Sequence, residues 1–225
     1  MKILVACEES QAVTIELRKL GHEAYSCDIL DCSGGHPEWH IKGDVLEQLD
    51  KGWDMMIAHP PCTYLSAAGA RWLFKNKVLD NKRYQKGLEA KEFFLKLLTA
   101  PIDKICVENP RYLKIFNMPT HSQEIQPYQF GEPFNKPTRL WLKNLQTLKS
   151  TNTVNPKETL KYNDGRTLSE WYGEPRDKNG KKIGWNTKEM QIHRSKTFQG
   201  IAKAMALQWA GNITNNELLG GEDEF

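Results

Sequence analysis

Two short segments of this chain carry residue types that could do chemistry together. His59-Pro60-Pro61-Cys62-Thr63-Tyr64-Leu65-Ser66 places a thiol directly after two prolines. Proline fixes φ and ends a strand, so the sulfur is held on a stiff backbone at a strand terminus. A thiolate there is a nucleophile; the other reading of Cys62 is one more small buried residue, the usual place of cysteine. Cys106-Val107-Glu108-Asn109-Pro110 sets a carboxyl directly after an apolar run. Desolvation raises a carboxyl pKa, so a partly buried Glu108 would hold a proton near neutral pH and donate it to a ring nitrogen. A helix-cap or ion-pair role for Glu108 stays open.

The elements that must position these residues follow from periodicity. Ile3 to Cys7 is an apolar run, and a polar turn leads from it into a helical pattern through Val13, Leu17 and Leu20 that Gly21 stops. Ala24 to Ile29 reads as a second strand with Asp28 at its end. Trp53 to Ala58 is apolar on both faces, as a central parallel strand is, and ends at His59. A long helical stretch with Phe93, Leu97 and Leu98 on one face runs to Pro101, and Lys104 to Val107 makes a buried strand ahead of Glu108. This alternation predicts an α/β fold, a mostly parallel sheet with helices on both faces, whose ligands bind outside the carboxyl ends of the strands. Cys62 and Glu108 both fall there.

The chain has 225 residues, the size of one α/β domain with a small appendage. Hydrophobic residues at 39% and charged residues at 26% suit a folded globular chain and exclude a disordered one. No apolar run is long enough for a membrane helix and no export segment opens the sequence, so no membrane partner and a cytoplasmic location are expected. A net charge of +3 permits an anionic partner without demanding one. Five cysteines, an odd number, are expected as free thiols. Cys27, Cys32, His36 and His40 lack a second pair at tetrahedral-site spacing, so no metal is expected. Residues 144–193 hold few aliphatics, with Trp171, Tyr172 and Trp185 interleaved among polar residues, and read as a loop-rich insertion. A final helix from Thr197 to Ala210 follows, and the acidic residues 213–225 read as a frayed tail.

The order of Pro61-Cys62, Glu108-Asn109 and a downstream basic segment resembles the DNA cytosine-5 methyltransferases. Further similarity lies at Gly131-Glu132-Pro133-Phe134-Asn135-Lys136-Pro137-Thr138-Arg139-Leu140-Trp141, like that family's Gly-x-Pro-Gln-x-Arg-x-Arg segment, and at Ser195 to Met205, like its last motif. The His-Pro-Pro-Cys variant is similar to that of a short, often phage-encoded subgroup. The resemblance covers most of residues 1–142 and 194–210. The chain departs from it at Ala6-Cys7-Glu8-Glu9-Ser10-Gln11, where the family has a glycine-rich loop, at Thr63, and at the spacing of Lys136 and Arg139. It also lacks the family's large target-recognition domain, for which residues 144–193 would be a reduced substitute.

The resemblance implies a Rossmann-like methyltransferase fold, with residues 1–143 and 194–212 as the catalytic domain. It implies methyl transfer from S-adenosylmethionine to carbon 5 of cytosine in DNA. Cys62 would add to the ring, Glu108 would act at ring nitrogen 3, and Arg139 would hold the base carbonyl or a phosphate. The cofactor would lie against Ala6, Cys7, Glu8, Glu9, Ser10, Asp28, Ile29, Asp44, Val45, His59, Pro60 and Ser195; Asp28, Asp44 and Ser10 could instead cap helices. Ser66, Arg71, Lys75, Lys136, Arg166 and Lys181 are candidate nucleic-acid contacts, against the plainer reading of a solvated helix face and of tryptophans packed under an insertion. Lys136, Arg139 or His59 could alternatively read a cofactor derivative whose transferred group bears a carboxylate. The rival functions are transfer to an exocyclic base amine, which needs no thiol, and non-catalytic nucleic-acid binding.

Overall fold

Ile3, Leu4 and Val5 give β1 (Lys2–Ala6) no polar face, and the strand is buried on both sides at the centre of a sheet. The computed structural model describes residues 1–211, apart from 158–159, 162–166, 174–175, 177–178 and 185–186. β1 runs parallel to both its neighbours, β2 (Glu23–Asp28) and β4 (Met55–Ala58). β3 (His40–Lys42) extends the sheet beyond β2, and β5 (Lys104–Asn109) extends it beyond β4, again in parallel. The last sheet strands, β6 (Gln123–Ile125) and β7 (Thr138–Lys143), are antiparallel, with β7 seated between β5 and β6. The order is β3-β2-β1-β4-β5-β7-β6. The chain works outward from β1 to β3 and then returns to β4, so the switch point of this Rossmann-like sheet lies between β1 and β4.

Side chains alternate along each strand and so sort into two layers. Ile3, Val5, Ile57, Cys106 and Leu140 face α1 (Ala12–Lys19) and α5 (Gln199–Ala210), whose Val13, Leu17, Ile201 and Met205 pack on them. Leu4, Met56, Ile105, Val107 and Trp141 face α3 (Asn81–Leu98), through Phe94 and Leu97. α5 comes so close to the Phe130 carbonyl that a Cβ at Gly200 would sit 1.8 Å from its oxygen, so only glycine fits there. The short helix α2 (Ala70–Leu73) follows the Cys62 loop, and α4 (Lys188–Ser195) precedes α5. Two hairpins stand outside the sheet, Phe74–Lys75 with Val78–Leu79 and Leu160–Lys161 with Thr167–Leu168.

The expected βαβ elements are present with shifted ends. Trp53 precedes its strand, holding the Gln48 carbonyl through its indole N–H at 2.7 Å. β5 continues past Val107, because β7 still pairs with it at Glu108 and Asn109. β3, β6 and β7 were not foreseen. At the start of the expected insertion, Leu148 is buried in the core beside Leu145. No helix among the described residues is long and apolar enough to cross a membrane.

Candidate functional site

β4 and β5 are neighbours whose last register pair is Ala58 with Val107, which brings His59 and Glu108 to adjacent places on the α1/α5 face. His59 Nδ1 lies 3.2 Å from Glu108 Oε2, with the imidazole side chain 8% exposed and the carboxyl 24%. The loop that follows is fastened at several points. His59 N–H donates to the Ala6 carbonyl at 2.9 Å, and Asn109 Nδ2 donates to the Pro60 carbonyl at 2.7 Å. The Leu65 and Ser66 amides donate back to the Cys62 carbonyl at 3.1 and 2.9 Å, closing a turn with Cys62 at its head. Arg83 donates to the Thr63 carbonyl at 2.8 Å and lies over the Tyr64 ring at 5.0 Å.

Charges converge on the sulfur. Burial pushes the Cys62 thiol up, and Glu108 pushes it further, while Lys136 and Arg194 pull it down; the balance is upward, so the resting group is a thiol. Lys136 is itself held below the ordinary lysine range by burial, against the opposing charges of Glu108 and Cys62. Its Nζ donates to the Arg194 carbonyl at 2.9 Å and lies 5.3 Å from the centre of the Phe198 ring. For His59 the largest influence is burial, which disfavours the cation. The hydrogen bond and charge of Glu108 and the charge of Glu8 together outweigh it, so the ring is held above its ordinary value. A cleft beside Glu108 is lined by Lys136, Thr138, Ser195, Phe198 and Met205.

Three buried polar atoms here have no hydrogen-bond partner among the described residues: His59 Nε2, Asn109 Oδ1 and Tyr112 Oη. An unpaired buried polar group costs about 1–3 kcal/mol, so such a cluster marks a place where a ligand or water completes the structure. Burial, followed by the charges of Glu108 and Cys62, pushes the Tyr112 hydroxyl far above its ordinary range.

The turn after β1 is built differently. Cys7 and Gln11 adopt positive φ, 58° and 57°, so the chain doubles back without glycine. Glu8 is 3% exposed. Its carboxylate accepts from the Val13 and Thr14 amides at 2.7 and 3.2 Å and from Thr14 Oγ1 at 2.7 Å, capping α1. Gln11, rather than Ser10, occupies the N-cap position, and its side chain ties Ser26 Oγ to the His36 backbone. Glu9 accepts from the Ser33 hydroxyl. Asp28 accepts from the Leu30 amide at 2.9 Å, and Asp44 caps the turn at Val45–Gln48 through the Leu46 amide at 2.9 Å. After burial, the charges of Asp28 and Asp44 raise both Cys7 and Cys27, the latter to about 11. Beside them Ile29 is 74% exposed.

Of the residues singled out in the sequence, Cys62, Glu108, His59, Lys136 and Ser195 are gathered at one strand end. Arg139 is not among them. It pairs with Asn109 on one side and Glu124 on the other, which puts it on the α3 face of the sheet, and its Nε donates to Glu124 Oε2 at 2.9 Å. Lys136, a candidate nucleic-acid contact, lines the cleft beside Glu108. Ser66 is buried at 7% within the Cys62 turn. Arg71 stacks over the exposed Trp72 ring at 4.9 Å, Lys75 lies in the following hairpin and Lys181 is exposed. Arg166, Lys178, Trp185 and the acidic tail lie outside the described residues. Trp171 packs on His193 at 3.9 Å and Phe198 at 4.6 Å, the plainer of its two readings. Tyr112 and Arg194 were missed. Tyr112 lies three residues past Asn109, close enough to the Glu-Asn segment to have been considered.

No family model and no curated protein matches the chain. Among solved structures, the chain is similar to one described as a candidate DNA modification methyltransferase encoded within a prophage (E. coli), with a TM-score of 0.39 and 12% identity. That superposition covers 62% of this chain and 45% of the other, so the chain spans less than half of its neighbour's length.

Proposed function

We propose that this protein is a DNA-modifying transferase that uses S-adenosylmethionine and acts on carbon 5 of cytosine through a covalent Cys62 adduct. One observation carries the reading: the Cys62 thiol and the Glu108 carboxyl share a strand-end site, close enough for the charge of one to shift the other. Carbon 5 of an intact cytosine ring is not nucleophilic. Attack of the Cys62 thiolate on carbon 6 breaks the aromaticity, and Glu108 donates a proton or hydrogen bond to nitrogen 3 as that bond forms. Lys136 stabilises the thiolate that burial opposes. Once carbon 5 has gained the transferred group, loss of its proton breaks the carbon 6–sulfur bond, expels the Cys62 sulfur and restores the ring, and nitrogen 3 returns its proton or hydrogen bond to Glu108.

The ends of β1 and β2 carry groups that suit the cofactor. Asp28 and Asp44 present carboxylates suited to ribose and adenine, exposed Ile29 offers an apolar surface for a base, and at the neighbouring end of β4 the buried His59 Nε2 has no partner among the described residues. S-Adenosylmethionine supplies an electrophilic methyl there when bound. A derivative transferring a carboxylate-bearing group would find the buried Lys136 cation in the same cleft. For DNA, the target base must leave the duplex. After the Cys62 loop, α2 exposes Trp72 at 50% and the following hairpin exposes Phe74 at 41% and Val78 at 69%, close to Arg71 and Lys77, as a wedge between stacked bases requires.

Incubating the protein with S-adenosylmethionine and DNA containing 5-fluorocytosine tests the reading, because fluorine cannot leave as a cation and the adduct is trapped. A covalent protein–DNA species joined at Cys62 is expected by mass spectrometry. Base modification that survives Cys62→Ser would favour transfer to an exocyclic amine. DNA binding without any calorimetric signal for S-adenosylmethionine would favour a non-catalytic protein.

A further inference from the structure

His59 has no assigned place in the chemistry above, yet it is the most constrained polar residue at the site. Its amide is tied to β1 through the Ala6 carbonyl at 2.9 Å. Its Nδ1 meets Glu108 Oε2 at 3.2 Å and its Nε2 is buried without a partner among the described residues. We propose that His59 is a positioning residue for Glu108: it donates Nδ1–H to Oε2 and so turns the other carboxyl oxygen toward the substrate ring.

Geometry supports this in two ways. Asp and Glu side chains at strand ends rotate about several bonds, and only an anchored partner restricts them. His59 is such an anchor, since its backbone is pinned between β1 and Pro60 and its ring is enclosed. A neutral ring could reach Glu108 with Nδ1 as either donor or acceptor, but a charged ring can only donate. The groups that face it decide which form is present. Glu8 from the β1–α1 turn and Glu108 from β5 favour the cation, while Lys136 from the segment before β7 opposes it. Cys62 and Arg194 complete the set through their own coupling to Glu108 and Lys136. Glu8 and Glu108 against one buried lysine favour the imidazolium, whose Nδ1–H donates to Oε2 and leaves Oε1 to carry the proton given to nitrogen 3. Glu8 thereby has two tasks, capping α1 and holding a charge near His59.

The role rests on the proposed cytosine chemistry, but it has a readout that needs neither cofactor nor DNA. Ring 15N shifts of His59 followed against pH in the whole protein should show a midpoint above the ordinary 6.5. Glu108→Gln should bring that midpoint down, and Glu8→Gln should lower it less. A His59 ring that is already neutral at that pH, or a midpoint that Glu108→Gln leaves unmoved, would overturn the proposal.

The second arm measures adduct formation with 5-fluorocytosine DNA and S-adenosylmethionine across pH. His59→Leu should slow it about 10–100-fold, the range for losing a group that orients a reacting one. His59→Asn, whose amide can still donate to Oε2 but carries no charge, should recover most of the rate with a displaced pH profile. Equal, pH-independent losses in both variants would mean a merely structural histidine. If the wild type forms no adduct, the cytosine reading fails, and the ring titration alone then decides the pairing.

Discussion

The two halves of the sheet end in loops of opposite character. After β1 every conspicuous polar group is used within the fold: Glu8 caps α1, Gln11 ties Ser26 to His36, Glu9 holds Ser33, and Asp28 and Asp44 each fasten a following turn. After β4 and β5 the polar groups are gathered but incomplete, with His59 Nε2, Asn109 Oδ1 and Tyr112 Oη unpartnered among the described residues and Lys136 buried beside Glu108 and Cys62. Folding alone gives no reason to bury unpaired groups. The difference teaches that the second end is left for a ligand to complete, while at the first the carboxylates proposed to meet the cofactor also hold the turns in place.

Substitutions should separate the two ends. Cys62→Ser should remove the 5-fluorocytosine adduct altogether, and Glu108→Gln should slow it about 100- to 10,000-fold, with thermal stability almost unchanged in both. Mass spectrometry of the adduct and a melting curve check this pair, and a large loss of stability would break the contrast. Next comes Gly200→Ala, whose methyl would meet the Phe130 carbonyl at 1.8 Å. It should cost about 1–3 kcal/mol in urea unfolding as α5 is pushed from the sheet.

Glu8→Ala belongs to the other end and should cost about 1–3 kcal/mol by leaving α1 amides unpaired. Its pH dependence has a definite sign. Burial, the largest influence, raises the Glu8 pKa in the fold, so the folded protein binds this proton more tightly than the unfolded chain. Its contribution is greatest below the unfolded value and declines as pH rises through the folded one. The cost of Glu8→Ala should therefore be greater near about pH 5 than near about pH 8. The smallest effect is expected for Arg139→Gln. Its ion pair with Glu124 is partly exposed, so unfolding should change by under about 1 kcal/mol. A drop in adduct formation without that small loss would return Arg139 to the substrate.

What could be read in the sequence divides along the same physical line. β1, β4 and β5 were legible because strands buried on both faces leave largely continuous apolar runs. The site was legible in part because a proline-stopped strand and a carboxyl after an apolar run are local signals. β6 was not, being three residues with Gln123 and Glu124 in it. β7 depends on pairing with strands distant in sequence, and its register decides the rest. Side chains alternate, so one step along β7 moves Arg139 to the α3 face, while Lys136, ahead of the strand, turns into the cleft. Nothing local reports that choice.

The seating of β7 has a consequence for how the protein matures. The cleft draws Glu108 from β5, Lys136 from the approach to β7, and Ser195 and Met205 from the last helices, with Cys62 coupled to Glu108 and Lys136 beside it. Contacts so widely spaced close late, after the entropy of the long intervening loops has been overcome. A nascent chain emerging from the ribosome would thus carry its sulfur without the lysine that offsets its burial, and the centre would be complete only once β7 is seated and α5 docks.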